Sequence, residues 1–105
     1  MENILSDFCK GWNTFDASLL IKHLDDSFVY DSQWVFSSLD HNGYVEYIQN
    51  KFRTLKNKGI VISASIVSDP YLGGKMLKLI QEENISYYRI KVVENKVVKG
   101  DLCMF

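Results

Sequence analysis

Apolar residues recur at helical spacing through the first half of this chain and alternate at strand spacing through the second. Ile4, Leu5, Phe8, Cys9 and Trp12 make one apolar stripe, predicting a first helix that ends near Gly11 to Asn13. Asp16 then stands where a side chain caps a second, short helix whose buried face is Leu20, Ile21 and Leu24. Asp25-Asp26-Ser27 breaks the helical pattern, and Phe28-Val29-Tyr30 begins a strand in which Phe28 and Tyr30 face one way and Val29 the other. After a bend at Ser32-Gln33, Trp34-Val35-Phe36 is a second short extended piece. Asp40-His41-Asn42-Gly43 offers capping side chains to a third helix with Tyr44, Ile48, Phe52 and Leu55 on its buried face. Basic residues and Gly59 close that helix.

From Ile60 the period changes to two. Ile60, Ile62, Ala64 and Ile66 alternate with Val61, Ser63, Ser65 and Val67, and the run from Asp69 to Gly74 ends the strand in a loop. Lys75 to Glu82, Ile85 to Val93 and Val97 to Met104 follow as three strands joined by short turns, which makes sequential neighbours antiparallel. The expected fold class is α+β: three helices from the N-terminal half packed on a curved antiparallel sheet, in the order α-α-β-β-α-β-β-β-β. No linker, repeat or low-complexity segment divides residues 1–105, which are expected to form one domain. The late strands carry apolar residues on both faces, and the helices can cover only one. A homodimer through the other sheet face is therefore expected.

Composition narrows the partners. With 47% apolar and 13% aromatic residues, the chain can bury a core. Twelve basic residues balance 13 acidic ones, for a formal net charge of -1, and the densest basic stretch, Lys51 to Lys58, lies along and beyond a helix. Nucleic acid is not expected as a partner. Glu2 and Asp7 interrupt the first apolar stretch, which lacks the pattern of a signal peptide, and no run is long enough to span a bilayer. A cytoplasmic protein without membrane association is expected. Cys9 and Cys103 read as small buried hydrophobes, and no metal-ligand spacing or cofactor motif is present, Gly73-Gly74 being a turn rather than a phosphate loop.

The layout resembles the nuclear transport factor 2-like superfamily, which includes ketosteroid isomerases, scytalone dehydratases and SnoaL-like cyclases. The resemblance is carried by Trp12-Asn13 and Asp16, by Leu24-Asp25-Asp26 leading into Phe28-Val29-Tyr30-Asp31, by the helix from Gly43 to Lys56, and by Asn95-Lys96-Val97-Val98. It implies a cystatin-like cone enclosing a pocket. Asp31 falls where the isomerases place their general base, a carboxylate that takes a proton from carbon beside a carbonyl while donors across the pocket stabilise the enolate. The first-helix position that would supply a hydroxyl donor corresponds to Phe8, which cannot donate, and the position of the protonated acid falls near Tyr87 or Tyr88. The dehydratases' Asp and His pair has no evident counterpart, since His23 and His41 read as a helix-end cation and a loop or capping residue.

Phe8, Trp12, Tyr30, Trp34, Phe52 and Tyr88 are the expected pocket walls, although aromatics of this number also serve as core and dimer contacts. Three readings follow. The first is a small dimeric pocket protein that binds an apolar small molecule or a protein partner without catalysis. The second is a cofactor-independent isomerase or lyase with Asp31 as base, and the third is a structural interaction module whose cone is filled by its own side chains.

Overall fold

A computed structural model describes residues 2–32 and 37–103 of the chain. The first helix, α1 (Glu2–Thr14), buries Ile4, Leu5, Phe8 and Trp12, the stripe its spacing predicts. It runs past the expected end and stops where Phe15 takes a φ of 55°. Gly11 lies on that route because a side chain there would collide with Leu20, and a Cβ would lie 2.9 Å from the Asp16 carbonyl oxygen. Asp16 then turns the chain, its carboxylate accepting from the Ser18 amide at 3.1 Å and the Ser18 hydroxyl at 2.6 Å. A single helical turn follows, α2 (Ser18–Ile21), with Leu20 buried.

Leu24, expected on the face of α2, is instead the first residue of β1 (Leu24–Ser32), and it is buried there. The long helix α3 (His41–Asn57) is capped by the Asp40 carboxylate, which accepts from the Gly43 amide at 2.8 Å, and it buries Tyr44, Ile48, Phe52 and Leu55. Beyond Gly59, at φ 68°, come β2 (Ile62–Ser68), β3 (Lys75–Gln81), β4 (Asn84–Val93) and β5 (Lys96–Cys103). The second extended piece, Trp34 to Phe36, lies outside the described residues. Beyond it, Leu39 makes one antiparallel bridge to Tyr30, with N–H···O distances of 2.8 and 2.9 Å.

The strands form one sheet in the order β1-β5-β4-β3-β2. The three later pairings are antiparallel, as their short turns require, and Glu94 and Asn95 take the positive φ values of 51° and 64° that a tight hairpin needs. The pairing of β1 with β5 is parallel, so the sheet is mixed rather than wholly antiparallel. No hairpin links those strands, and no turn fixes their relative direction. The Val97 amide donates to the His23 carbonyl at 2.8 Å just before β1 begins. At the opposite edge, the Asn13 side chain takes the place of a missing strand: its amide donates to the Ala64 carbonyl at 3.0 Å, and its oxygen accepts from the Ala64 amide at 2.7 Å. An exposed edge is thus blocked at its centre.

Helices α1 and α3 cover the inner sheet face, where Ile62, Ala64, Leu77, Leu79, Tyr88, Val97 and Leu102 join one buried cluster with the helical stripes. Met76 faces the other way along β3, yet it is only 1% exposed and lies beside Val67, Pro70 and Tyr87. The β2–β3 loop returns over this outer face. Buried Asp69 receives the Arg89 Nε at 2.6 Å and Nη2 at 3.1 Å, while its Oδ1 accepts from the amides of Tyr71 at 2.9 Å and Leu72 at 3.1 Å. Part of the face expected to meet a second copy is therefore covered by the chain itself. Among the described residues, no helix is long and apolar enough to cross a membrane.

The Arg89 guanidinium beside Asp69, aided by the two loop amides and opposed by desolvation, holds the Asp69 carboxyl well below the usual carboxylate range. A carboxyl whose pKa is depressed on folding stabilises the fold above its unfolded value of about 3.9 and loses that contribution as pH falls through the folded value. Urea midpoints should therefore show Asp69→Asn less stable than the parent at pH 7, with an unchanged gap down to about pH 5 and a smaller gap at pH 3.

Candidate functional site

The interior between α3 and the sheet is packed with aromatic rings. Tyr44 of α3 and Tyr88 of β4 meet through their hydroxyls at 2.9 Å, both residues fully buried. Tyr30 lies 4.6 Å from Tyr44 and 6.1 Å from Tyr88 between ring centroids, Phe28 lies 4.9 Å from Tyr44, and Phe8 lies 5.9 Å from Tyr88. Gly100 makes room for this cluster: a Cβ there would stand 3.0 Å from Tyr88 Cζ and 3.1 Å from Phe28 Cζ. Burial pushes the phenols of Tyr30, Tyr44 and Tyr88 above the ordinary tyrosine value. At neutral pH they are neutral donors.

Asp31 follows Tyr30 on β1 and so projects from the opposite face. Its side chain is 39% exposed, accepts from the Ser38 hydroxyl, and faces the Lys99 ammonium at 3.5 Å. The Ser38 hydrogen bond foremost, with help from Lys99, holds the carboxyl below its usual value against the opposing effect of desolvation. Strand alternation turns Tyr30 into the cone and Asp31, the expected general base, to the other face. A general base also works best with a pKa near the operating pH, and this one is moved away from it. The same alternation settles the later tyrosines: Tyr88 faces inward, and Tyr87 pairs with Cys103 on the other side.

A cavity of about 260 Å³ remains beside the β3–β4 turn. Its apolar walls are Trp12, Ile62, Leu79 and Leu102, with Ile85 at the rim. Its polar walls are Lys51 of α3, Gln81 of β3, and Asn84 and Ser86 of β4. Trp12 is 3% exposed, and its indole Nε1–H has no hydrogen-bond partner among the described residues. Lys51 is half-buried and extends its Nζ to 3.4 Å from the Tyr47 hydroxyl.

Of the expected pocket walls, Trp12 borders this cavity. Phe8, Tyr30 and Tyr88 do not, because they pack against one another and fill the interior. Phe52 meets Trp12 edge-on at 4.9 Å and borders a separate surface groove beside Phe15. Trp34 lies outside the described residues. Sequence reasoning missed Lys51, Gln81, Asn84 and Ser86. The available signal was the switch from apolar to polar at the inward positions of β3 and β4, since Gln81 and Asn84 pair directly, as do Leu79 and Ser86.

The histidines serve local structure. His23 Nε2 lies 2.7 Å from the Asp7 carboxylate, which also meets Lys22 Nζ at 3.2 Å, tying α1 to the turn before β1. His41 opens α3 with its Nδ1 3.2 Å from Asn42 Oδ1. Neither histidine borders the cavity. Cys9 reaches the Ala64 carbonyl at 3.3 Å, and burial pushes its thiol up in pKa, as it does that of Cys103.

No protein-family model and no curated protein matches the chain. Solved structures do match. A cystatin-fold protein from Novosphingobium aromaticivorans superposes with a TM-score of 0.69 at 7% identity, covering 96% of this chain and 95% of that one. A SnoaL-like protein of unknown function from Burkholderia thailandensis gives 0.68 at 12% identity, with 96% and 90% covered. A nuclear transport factor 2-like protein of unknown function from Cytophaga hutchinsonii gives 0.63 at 6% identity, with 96% and 86% covered. This is the nuclear transport factor 2-like fold. At these identities the likeness shows the fold and leaves function to the site.

In this version of the nuclear transport factor 2-like cone the buried hydroxyl pair locks α3 to β4. Tyr88→Phe strands the Tyr44 hydroxyl in the interior and should cost about 1–3 kcal/mol in urea unfolding. The Tyr44→Phe/Tyr88→Phe double variant should lose less than the sum of the two single losses, with a coupling of about 1 kcal/mol in a double-mutant cycle.

Proposed function

We propose that this chain is a small-molecule binding protein whose site is the cavity at the open end of the cone, and that Asp31 takes no part in it. The observation that carries the reading is the contrast between the two ends of the interior. One end is closed by Phe8, Phe28, Tyr30, Tyr44 and Tyr88, while the other keeps about 260 Å³ between Trp12, Lys51 and the inward residues of β3 and β4. Mostly apolar walls with a few convergent polar groups are the usual composition of a ligand site. The volume of about 260 Å³ falls just below the range of roughly 300–1,000 Å³ for such sites, which suits a ligand of one or two rings.

Isomerase or lyase chemistry through Asp31 is the weaker reading. The carboxylate is ionised, turned to the outer face and paired with Ser38 and Lys99. Among the described residues, the cavity wall holds no carboxylate or imidazole to serve as a base in its place. Association of two copies through the outer sheet face belongs to the same proposal, since Val29 and Ile85 leave apolar surface exposed there. Sedimentation equilibrium should return twice the monomer mass, and a monomer at all concentrations would remove this part alone.

Thermal unfolding with 2-naphthoate, a two-ring probe, tests the site itself. At a hundredfold excess over Kd, binding stabilises by about 2.7 kcal/mol. For a domain of this size that raises Tm by on the order of 10 °C. Asp31→Asn should retain the shift, whereas Ser86→Trp, which fills the cavity, should abolish it. An equal shift in Ser86→Trp would place binding elsewhere.

A further inference from the structure

The cavity wall is polarised in a way that specifies its ligand. Trp12 Nε1–H is a buried donor without an acceptor among the described residues, on a residue that is 97% withdrawn from solvent and forms part of the wall. Such a donor gains more from an acceptor than an exposed one, because the surroundings offer no alternative. Lys51 supplies a positive charge to the same cavity. Its hydrogen bond to the Tyr47 hydroxyl uses one of three ammonium protons. The described lining contains no aspartate or glutamate to balance it. Ile62, Leu79 and Leu102 form the apolar remainder.

We infer that the cavity takes a small aromatic or alicyclic carboxylic acid, its ring against Ile62, Leu79 and Leu102 and its carboxylate between the Trp12 indole N–H and the Lys51 ammonium. A neutral hydrocarbon of the same shape would leave the indole proton unpaired and the ammonium unbalanced. A cationic ligand would meet Lys51 with like charge. A carboxylate accepts from both donors at once, and each such hydrogen bond to a charged group is among the stronger kinds. The inference rests on the cavity being a ligand site, as proposed above. It adds the chemistry of the ligand and assigns the recognition to two residues from different helices.

Calorimetric titration of the full chain with 2-naphthoate and with its uncharged counterpart 2-ethylnaphthalene separates the two claims. The wild type should bind the carboxylate at least tenfold more tightly. Trp12→Phe and Lys51→Met should each weaken 2-naphthoate by about tenfold and leave 2-ethylnaphthalene within threefold. A direct readout is the indole N–H resonance of Trp12, which should move downfield with 2-naphthoate and not with 2-ethylnaphthalene. That measurement and Lys51→Met hold even if Trp12→Phe fails to fold. Equal affinity for both probes, an unmoved indole resonance and an inert Lys51→Met would overturn the carboxylate inference while leaving the cavity as a binding site. Absence of binding by either probe would overturn both.

Discussion

The hydrogen bond between the buried hydroxyls of Tyr44 and Tyr88 fixes how α3 lies across the sheet. Each phenol would be expensive to bury alone, and each is the acceptor or donor the other needs. Because the residues are 44 positions apart, the bond brings a helix and a strand into one register rather than stiffening either. Its geometry holds only if the backbone under Tyr88 carries no side chain, which Gly100 supplies, and if Phe28 and Tyr30 fill the flanks. The consequence reaches the site. With this end of the cone occupied by rings, the cavity lined by Trp12 and Lys51 lies at the far end, beside the β3–β4 turn.

The first strand shows how one residue of register divides two functions. Tyr30 belongs to the inner cluster, and Asp31, its neighbour, belongs to a charged outer surface with Lys99 across the sheet. Asp101 sits directly opposite Asp31 in the pairing, so Lys99 and the Ser38 hydroxyl are what make the outer position tolerable for a second carboxylate. A carboxylate stabilised in this way is held in its ionised form. Shifting the strand by one residue would bring Asp31 into the cone but would expel Tyr30 and Phe28 from it, so the aromatic cluster and an inward Asp31 exclude one another.

Much of the fold was legible because periodicity reports which face is buried. The stripes of α1 and α3 and the alternation of β2 to β5 each appear within two or three residues of the positions their patterns predict. The start of β1 was not. Asp25-Ser27 does make a local turn, the Asp25 carboxylate accepting from the Ser27 amide at 2.9 Å and its hydroxyl at 2.6 Å. Pairing with β5 on both sides absorbs that turn as an irregularity inside the strand, between Leu24 and Val29. Long-range pairing overrode correct local chemistry. For the site, the pattern placed the aromatics inward but could not tell rings that line a space from rings that fill it. That distinction depends on contacts such as Phe8 with Tyr88, set by helix placement rather than by spacing. Lys51 was hidden for a related reason, since a lysine on a helix flank reads as solvated until the sheet opposite it is known.

Trp12 is the residue at which packing and recognition meet. Its ring is held edge-on by Phe52 at 4.9 Å and lies 6.2 Å from Tyr88, contacts a phenylalanine of similar breadth could also provide. The indole N–H therefore adds nothing to the packing and carries a desolvation cost of about 1–3 kcal/mol when unpaired. Other buried polar groups are treated differently: Tyr44 and Tyr88 satisfy one another in the interior, and Asp69, under the loop on the outer face, is enclosed by Arg89 and two amides. Among these groups the Trp12 indole N–H is the unpaired one, on a residue that lines the cavity, and there an acceptor would gain most. The rigidity of the aromatic end is what keeps that donor in place, because Trp12 cannot turn to find another partner without displacing Phe52 or Tyr88.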